Sequence, residues 1–154
     1  MKRFEFRLQK LLEIRKRKEE QEKLELAKAS GAYQFVLNKK EKILSNLGEK
    51  RKELSNKKGQ LNLRELQAYD SMVKDADLAI KKLDVEIEEK RKIMQKHIDK
   101  YAELKRERRV VEVLREKAYK KYEEEAGKEE QKLIDEIGKD LFIKNKENRI
   151  ISEN

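Results

Sequence analysis

The chain has 154 residues, of which 47% are charged and 36% hydrophobic, with no Pro, Cys or Trp and a net charge of +9. Such low hydrophobicity fits either a disordered chain or long helices that bury a narrow seam. The absence of proline and the dominance of Lys, Glu, Leu, Arg and Ala, all good helix formers, favour the helices. Without cysteine there can be neither a disulfide nor a thiolate metal site, and no apolar run approaches the ~18–20 residues that span a bilayer. The basic opening Met1-Lys2-Arg3-Phe4-Glu5-Phe6-Arg7 lacks an apolar core, so it does not read as a signal peptide. The expectation is a soluble cytoplasmic protein.

The charge is zoned. Residues 1–18 carry eight Lys/Arg against two Glu, and residues 105–121 carry eight against three. The stretch from Tyr122 to Glu130 is sharply acidic.

In chain order, the first pattern is a seven-residue series of Leu12, Glu19, Leu26, Tyr33, Lys40, Leu47, Leu54 and Leu61. Ala29, Val36, Leu37, Ile43 and Leu44 lie three or four residues further on, as in a coiled-coil seam. Between Arg15 and Lys23 the sequence is almost wholly charged, so the seam is thin there. Ser55-Asn56-Lys57-Lys58-Gly59-Gln60 reads as a turn. Asn62 then fits a helix N-cap, with Glu65 completing a capping box and Leu61 and Leu66 forming a hydrophobic staple.

The second helix has the cleaner repeat. Leu66, Val73, Ile80, Ile87, Met94 and Tyr101 form one series, and Tyr69, Ala76, Leu83, Lys90, His97 and Leu104 the other. Arg108 and Arg115 break the first series, and Val111, Leu114, Ala118 and Tyr122 suggest a stutter. Leu133, Ile134, Ile137 and Leu141 form a last amphipathic stripe.

The predicted architecture is all-α, a long antiparallel two-helix coiled coil whose second helix is the longer. It forms a single domain over residues 1–143, with helices at 3–55 and 63–142, a turn at 55–62 and a disordered polar tail at 144–154. At ~1.5 Å per residue the arms are about 76 Å and about 118 Å long, so position i faces roughly 120 − i. Phe4 is then expected near Glu116, and much of the chain after Lys117 has no partner. The two basic segments lie together at the open end, which suits an acidic partner surface. The unpaired stripe at Leu133–Leu141 is a surface for docking or self-association.

No residue pattern supports catalysis. His97 falls at a seam position and reads as a wet seam residue rather than a ligand or base. The five glycines are scattered outside any phosphate-binding pattern; Gly31, Gly48, Gly127 and Gly138 mark local weakness or close helix approach. No cofactor or metal is expected. Nucleic-acid binding is a weaker rival, because the basic residues alternate with Glu and aromatics do not interleave with them.

The opening Phe4-Glu5-Phe6-Arg7-Leu8-Gln9-Lys10-Leu11-Leu12-Glu13-Ile14-Arg15 resembles the F-x-F-R-L-x-x-L-L-x-x-R start of the bacterial flagellar export protein family FliJ. Leu66-Gln67-Ala68-Tyr69, Ile80 and Leu83 are similar to that family's spacing after its turn, and Asp135-Glu136-Ile137 adds a weaker match. The resemblance implies a non-enzymatic, stalk-like coiled coil of the flagellar type III export apparatus, peripheral to the inner membrane through its partners only and a monomer when free. It implies three partners: the export ATPase hexamer, the cytoplasmic domain of the export gate, and escort chaperones. By the same resemblance, Phe4, Phe6, Arg7, Leu8, Leu11, Arg15, Leu133, Ile137 and Leu141 would contact the ATPase ring. Met72, Ala76, Ala79 and Leu83 on the second helix would face the gate, with Asn46 and Lys50 on the first. A generic structural homo-oligomer is the alternative, with the stripe after Leu133 satisfying itself across a two-fold axis.

Overall fold

The computed structural model describes residues 1–57 and 59–153. It is an all-α helical hairpin of two helices, α1 (Gln9–Asn56) and the longer α2 (Leu63–Glu153). Two compact units divide it: a turn unit, Arg17–Lys105, and a terminal unit formed by Met1–Lys16 with the chain from Arg106 on.

In the turn unit the pairing is antiparallel: Lys40 meets Asp84 (2.7 Å) while the earlier Glu22 meets the later His97 (2.5 Å). The seven-residue series sets what is buried. Val36, Leu54 and Ala76 are its buried apolar residues, with Leu26, Ala29, Tyr33, Ile43, Leu47, Val73, Ile80, Leu83, Ile87 and Met94 half-buried along the same series. Leu44 and Leu66, read as seam and staple residues, are 49% and 46% exposed. Two helices alone can cover only a narrow strip of each other, so residues at the strip's margin stay wet.

The N-cap forms as expected: Asn62 Oδ1 accepts from Glu65 N–H at 2.8 Å. The reciprocal half of the capping box does not. Glu65 instead accepts an ion pair from Lys57 Nζ at 3.0 Å, and its other carboxylate oxygen is buried without a partner. Helix α1 runs through Ser55 and Asn56, both read from the sequence as turn. Lys57 N–H then reaches back to the Leu54 carbonyl, Gln60 N–H to the Lys57 carbonyl, and Gly59 takes φ +76°, which only glycine adopts without strain. Lys58, inside the predicted turn, lies outside the described residues.

In the terminal unit Leu12 and Val111 form the core, each 2% exposed. Val111 and Ala118 follow Leu104 at the same seven-residue spacing, and Tyr122 keeps the spacing of Tyr101 and Arg108. These residues are buried or half-buried, so no stutter is needed to account for them. Of the two arginines that look like a break, Arg108 is half-buried and pairs with Glu112, while Arg115 is exposed and reaches Gln9 and the Phe4 ring. Helix α1 begins at Gln9 rather than at residue 3, and α2 continues to Glu153, through the segment read as a polar tail. Gly31, Gly48, Gly127 and Gly138 have nothing near their Cβ positions, so close helix approach is not their role.

Replacing Asn62 by Ala removes the acceptor for Glu65 N–H and is expected to cost about 1 kcal/mol. Urea denaturation followed by circular dichroism would measure it, and an unchanged midpoint would show that the cap contributes nothing.

Candidate functional site

The terminal unit is built around a short non-helical segment ahead of α1. Gln9 N–H bonds to the Phe6 carbonyl (3.1 Å) and Leu12 N–H to the Leu8 carbonyl (3.0 Å), so the chain turns into the helix at Phe6–Gln9. Leaving the helix early lets Phe4 lie on α2. Its ring stands edge-on to Tyr119 at 5.1 Å and tilted to Tyr122 at 5.4 Å, with the Arg115 guanidinium 5.8 Å from its centroid. Aromatic pairs in such geometry add about 0.5–1.5 kcal/mol beyond their buried area. The Tyr122 hydroxyl donates to the Lys2 carbonyl at 2.8 Å, fixing the segment a second time. Arg115 Nε donates to Gln9 Oε1 (3.2 Å), and the Arg15 guanidinium to the Glu107 carbonyl (2.8 Å).

The expected proximity of the two basic segments is therefore real, with Phe4 on Tyr119 and Tyr122 rather than on Glu116. Local acids temper the charge: Arg108 pairs with Glu112, and Arg109 lies 3.2 Å from Glu116 and 3.6 Å from Glu112. Hydrogen bonding to Glu123 pushes the Tyr119 hydroxyl above its ordinary range.

From Gly127 to Glu153 every residue is exposed. Leu133 (58%), Ile134, Ile137 and Leu141 (58%) recur at three- and four-residue spacing and so share one helix face, uncovered by the rest of the chain.

Of the residues assigned to ring contact, Phe4, Phe6, Leu8, Leu11 and Arg15 are half-buried within the terminal unit and Arg7 is exposed. Leu133, Ile137 and Leu141 are exposed on the long uncovered part of α2. Of those assigned to gate contact, Ala76 is buried, and Met72, Ala79 and Leu83 are half-buried. Ala76 and Leu83 hold seam positions in the seven-residue series, which turns them toward α1. Asn46 and Lys50 are exposed, and Lys50 pairs with Glu53 at 3.3 Å.

The sequence reading missed a buried charge. Glu22, 4% exposed, is the single buried polar side chain among the described residues. His97 Nδ1 lies 2.5 Å from one carboxylate oxygen and Lys100 Nζ 3.4 Å from the other. An ionised carboxylate can only accept, so Nδ1 carries the proton. The hydrogen bond from His97, more than the burial that opposes it or the Lys100 ammonium, holds the Glu22 carboxyl below the usual carboxylate range. The signal was present: Glu22 sits seven residues before Ala29, and the expected facing rule puts it beside residue 98. His97 is a seam residue as expected, but a bonded one. Among the described residues no cluster of His, Cys, Asp or Glu could hold a metal ion, and no helix is long and apolar enough to cross a membrane.

The chain is a two-helix hairpin with a cluster of aromatic residues in its terminal unit and an uncovered apolar helix face. Residues 4–147 match the flagellar FliJ protein family, and the chain belongs to that family. It is thus a component of the flagellar export machinery. Curated proteins give no match to the chain, and neither do solved structures.

Because the Glu22 carboxyl is lowered in the folded state, its contribution to stability is complete above the unfolded carboxylate range. It is lost as pH falls through that range and on through the lowered folded value. Acid unfolding of the parent chain should therefore be steeper than that of Glu22→Gln, measured as the denaturation midpoint between neutral and strongly acidic pH. Parallel pH profiles for the two would show that the carboxylate is energetically idle.

Proposed function

We propose that this chain is a non-enzymatic, stalk-like adaptor of the flagellar type III export apparatus. It binds the export ATPase hexamer and promotes its assembly and hydrolysis. It also links the ring to the cytoplasmic domain of the export gate and to escort chaperones. Its place would be the cytoplasmic side of the inner membrane at the flagellar base, held there through partners. The observation that supports this most is the uncovered stretch of α2 after Gly127 in a chain matched to FliJ over residues 4–147. A helix face with four large apolar residues in water is costly unless a partner covers it. A ring lumen of complementary shape would cover both this face and the aromatic residues at Phe4.

The gate contact is the weaker element. Met72, Ala79 and Leu83 are only half-exposed and Ala76 is buried, so a gate domain would reach the margin of the seam there, together with exposed Asn46 and Lys50.

Mixing the chain with its cognate export ATPase should raise hydrolysis and the hexamer fraction. The double change Ile137→Asp and Leu141→Asp should weaken that stimulation by about tenfold, in line with loss of apolar anchors at an interface, with helicity retained by circular dichroism. Absence of any stimulation by the parent chain would overturn the proposal.

The exposed Leu133–Leu141 face also gives a second reading, a structural homo-oligomer paired across a two-fold axis. Sedimentation of the free chain at micromolar concentration separates the two. A monomer is expected, and a stable dimer that the same double change dissolves would favour the homo-oligomer.

A further inference from the structure

Within the terminal unit the segment ahead of α1 does more than close the helix end. It forms one wall of an open groove with the first turn of α1 and with Arg115 on α2. Four cations line this groove, Arg3, Arg7, Lys10 and Arg115, against two carboxylates, Glu5 and Glu13. The Arg115 guanidinium is engaged by Gln9 and the Phe4 ring. The side chains of Arg3, Arg7 and Lys10 are exposed, and none makes a hydrogen bond or ion pair among the described residues. Phe4 and Phe6, both half-buried, supply the aromatic part of its lining.

The contrast within the same unit is informative. Arg108 and Arg109 are neutralised by glutamates one or two turns along their own helix. Arg3, Arg7 and Lys10 have Glu5 and Glu13 close in sequence but do not pair with them. Three unpaired cations beside two phenyl rings keep their charge available to a partner. The wall is also fixed: Phe4 is held by two tyrosine rings, and the Lys2 carbonyl by the Tyr122 hydroxyl. A preorganised groove spends less of its interaction energy on ordering itself when it binds.

We infer that this groove is the docking site for an acidic, apolar-centred peptide segment of a partner protein, its carboxylates taken by Arg3, Arg7 and Lys10 and its apolar side chain seated on Phe4 and Phe6. Guanidinium groups bind carboxylates through two parallel hydrogen bonds, and the aromatic lining gives the segment an apolar anchor that a free anion could not use. The inference rests on the ring-docking reading and names the chemistry that the partner would present to the open groove.

The test uses the full-length chain and a fluorescein-labelled amphipathic peptide with glutamates flanking a leucine stripe, read by fluorescence anisotropy. Combined reversal of the groove, Arg3→Glu with Arg7→Glu and Lys10→Glu, should weaken peptide binding by about tenfold or more. Reversal of three exposed lysines of the turn unit, Lys42→Glu with Lys81→Glu and Lys82→Glu, should leave it near the parent value. Phe4→Ala should also weaken the peptide, but not a matching peptide in which serines replace the leucines. Unchanged binding in the groove reversal, equal loss in both reversals, or displacement of the peptide by an oligonucleotide of equal charge would each overturn the inference. The peptide measurements contain no ATPase, so the two readings fail separately. An ATPase that does not bind the parent chain overturns ring docking alone. Parent-level binding of both peptide and ATPase by the groove reversal overturns the groove alone.

Discussion

Two helices in contact can hide only one strip of each, and that constraint governs everything else in this molecule. Among the described residues the buried apolar side chains are few: Leu12 and Val111 in the terminal unit, and Val36, Leu54 and Ala76 in the turn unit. A seam this narrow cannot tolerate a misplaced residue cheaply, so register matters more than total buried area. The bond between Glu22 and His97 serves register directly. A carboxylate buried in the seam is costly unless a donor stands opposite; a slip of one heptad would exchange His97 for Leu104, which offers none, or for Lys90. The bonded pair thus disfavours the slip that would set Glu22 against Leu104, at some expense in stability.

The same constraint explains what the chain does not bury. Once α2 outruns the segments that can lie against it, its apolar residues have nothing to cover them, and they stay exposed from Leu133 to Ile151. The terminal unit partly compensates by leaving helical geometry. Ahead of the turn at Phe6–Gln9, Phe4 lies on Tyr119 and Tyr122. Charge follows a similar logic. Arg108 and Arg109 of α2 are neutralised locally by glutamates three, four or seven residues along. The cations ahead of and at the start of α1 are left unpaired.

The seam was the readable part of the sequence. Seven-residue spacing located Val36, Leu54, Ala76 and the half-buried series around them, and the cap at Asn62 was visible as Asn followed three residues later by Glu. Local chemistry of this kind is written in adjacent residues. Pairings across the hairpin were read less well. The spacing alone puts Glu22 in the seam, but a run of charge around it looked like a gap rather than a bonded site, because burial of a carboxylate depends on a histidine far along the chain. The turn at Phe6–Gln9 had no punctuation in the sequence, neither Pro nor Gly, and the packing of Phe4 on Tyr119 and Tyr122 beside it joins residues far apart in the chain, which no local rule encodes. No stutter occurs at Arg108, which is half-buried in the same seven-residue series as Tyr101 and Tyr122.

The turn carries one more consequence. Partners near it are almost adjacent in sequence, with Lys57 and Glu65 separated by 8 residues, whereas Lys2 and Tyr122 are separated by 120. Closing a flexible loop costs about 0.6 kcal/mol more for each doubling of its length, so the second contact is dearer than the first by about 2 kcal/mol of chain entropy when each must form unaided. Zipping from Gly59 outward removes that difference, because every new pair needs only the next few residues to close. Connectivity alone thus makes the contacts beside the turn the cheapest to close, and those that hold Lys2 and Phe4 on α2 the dearest.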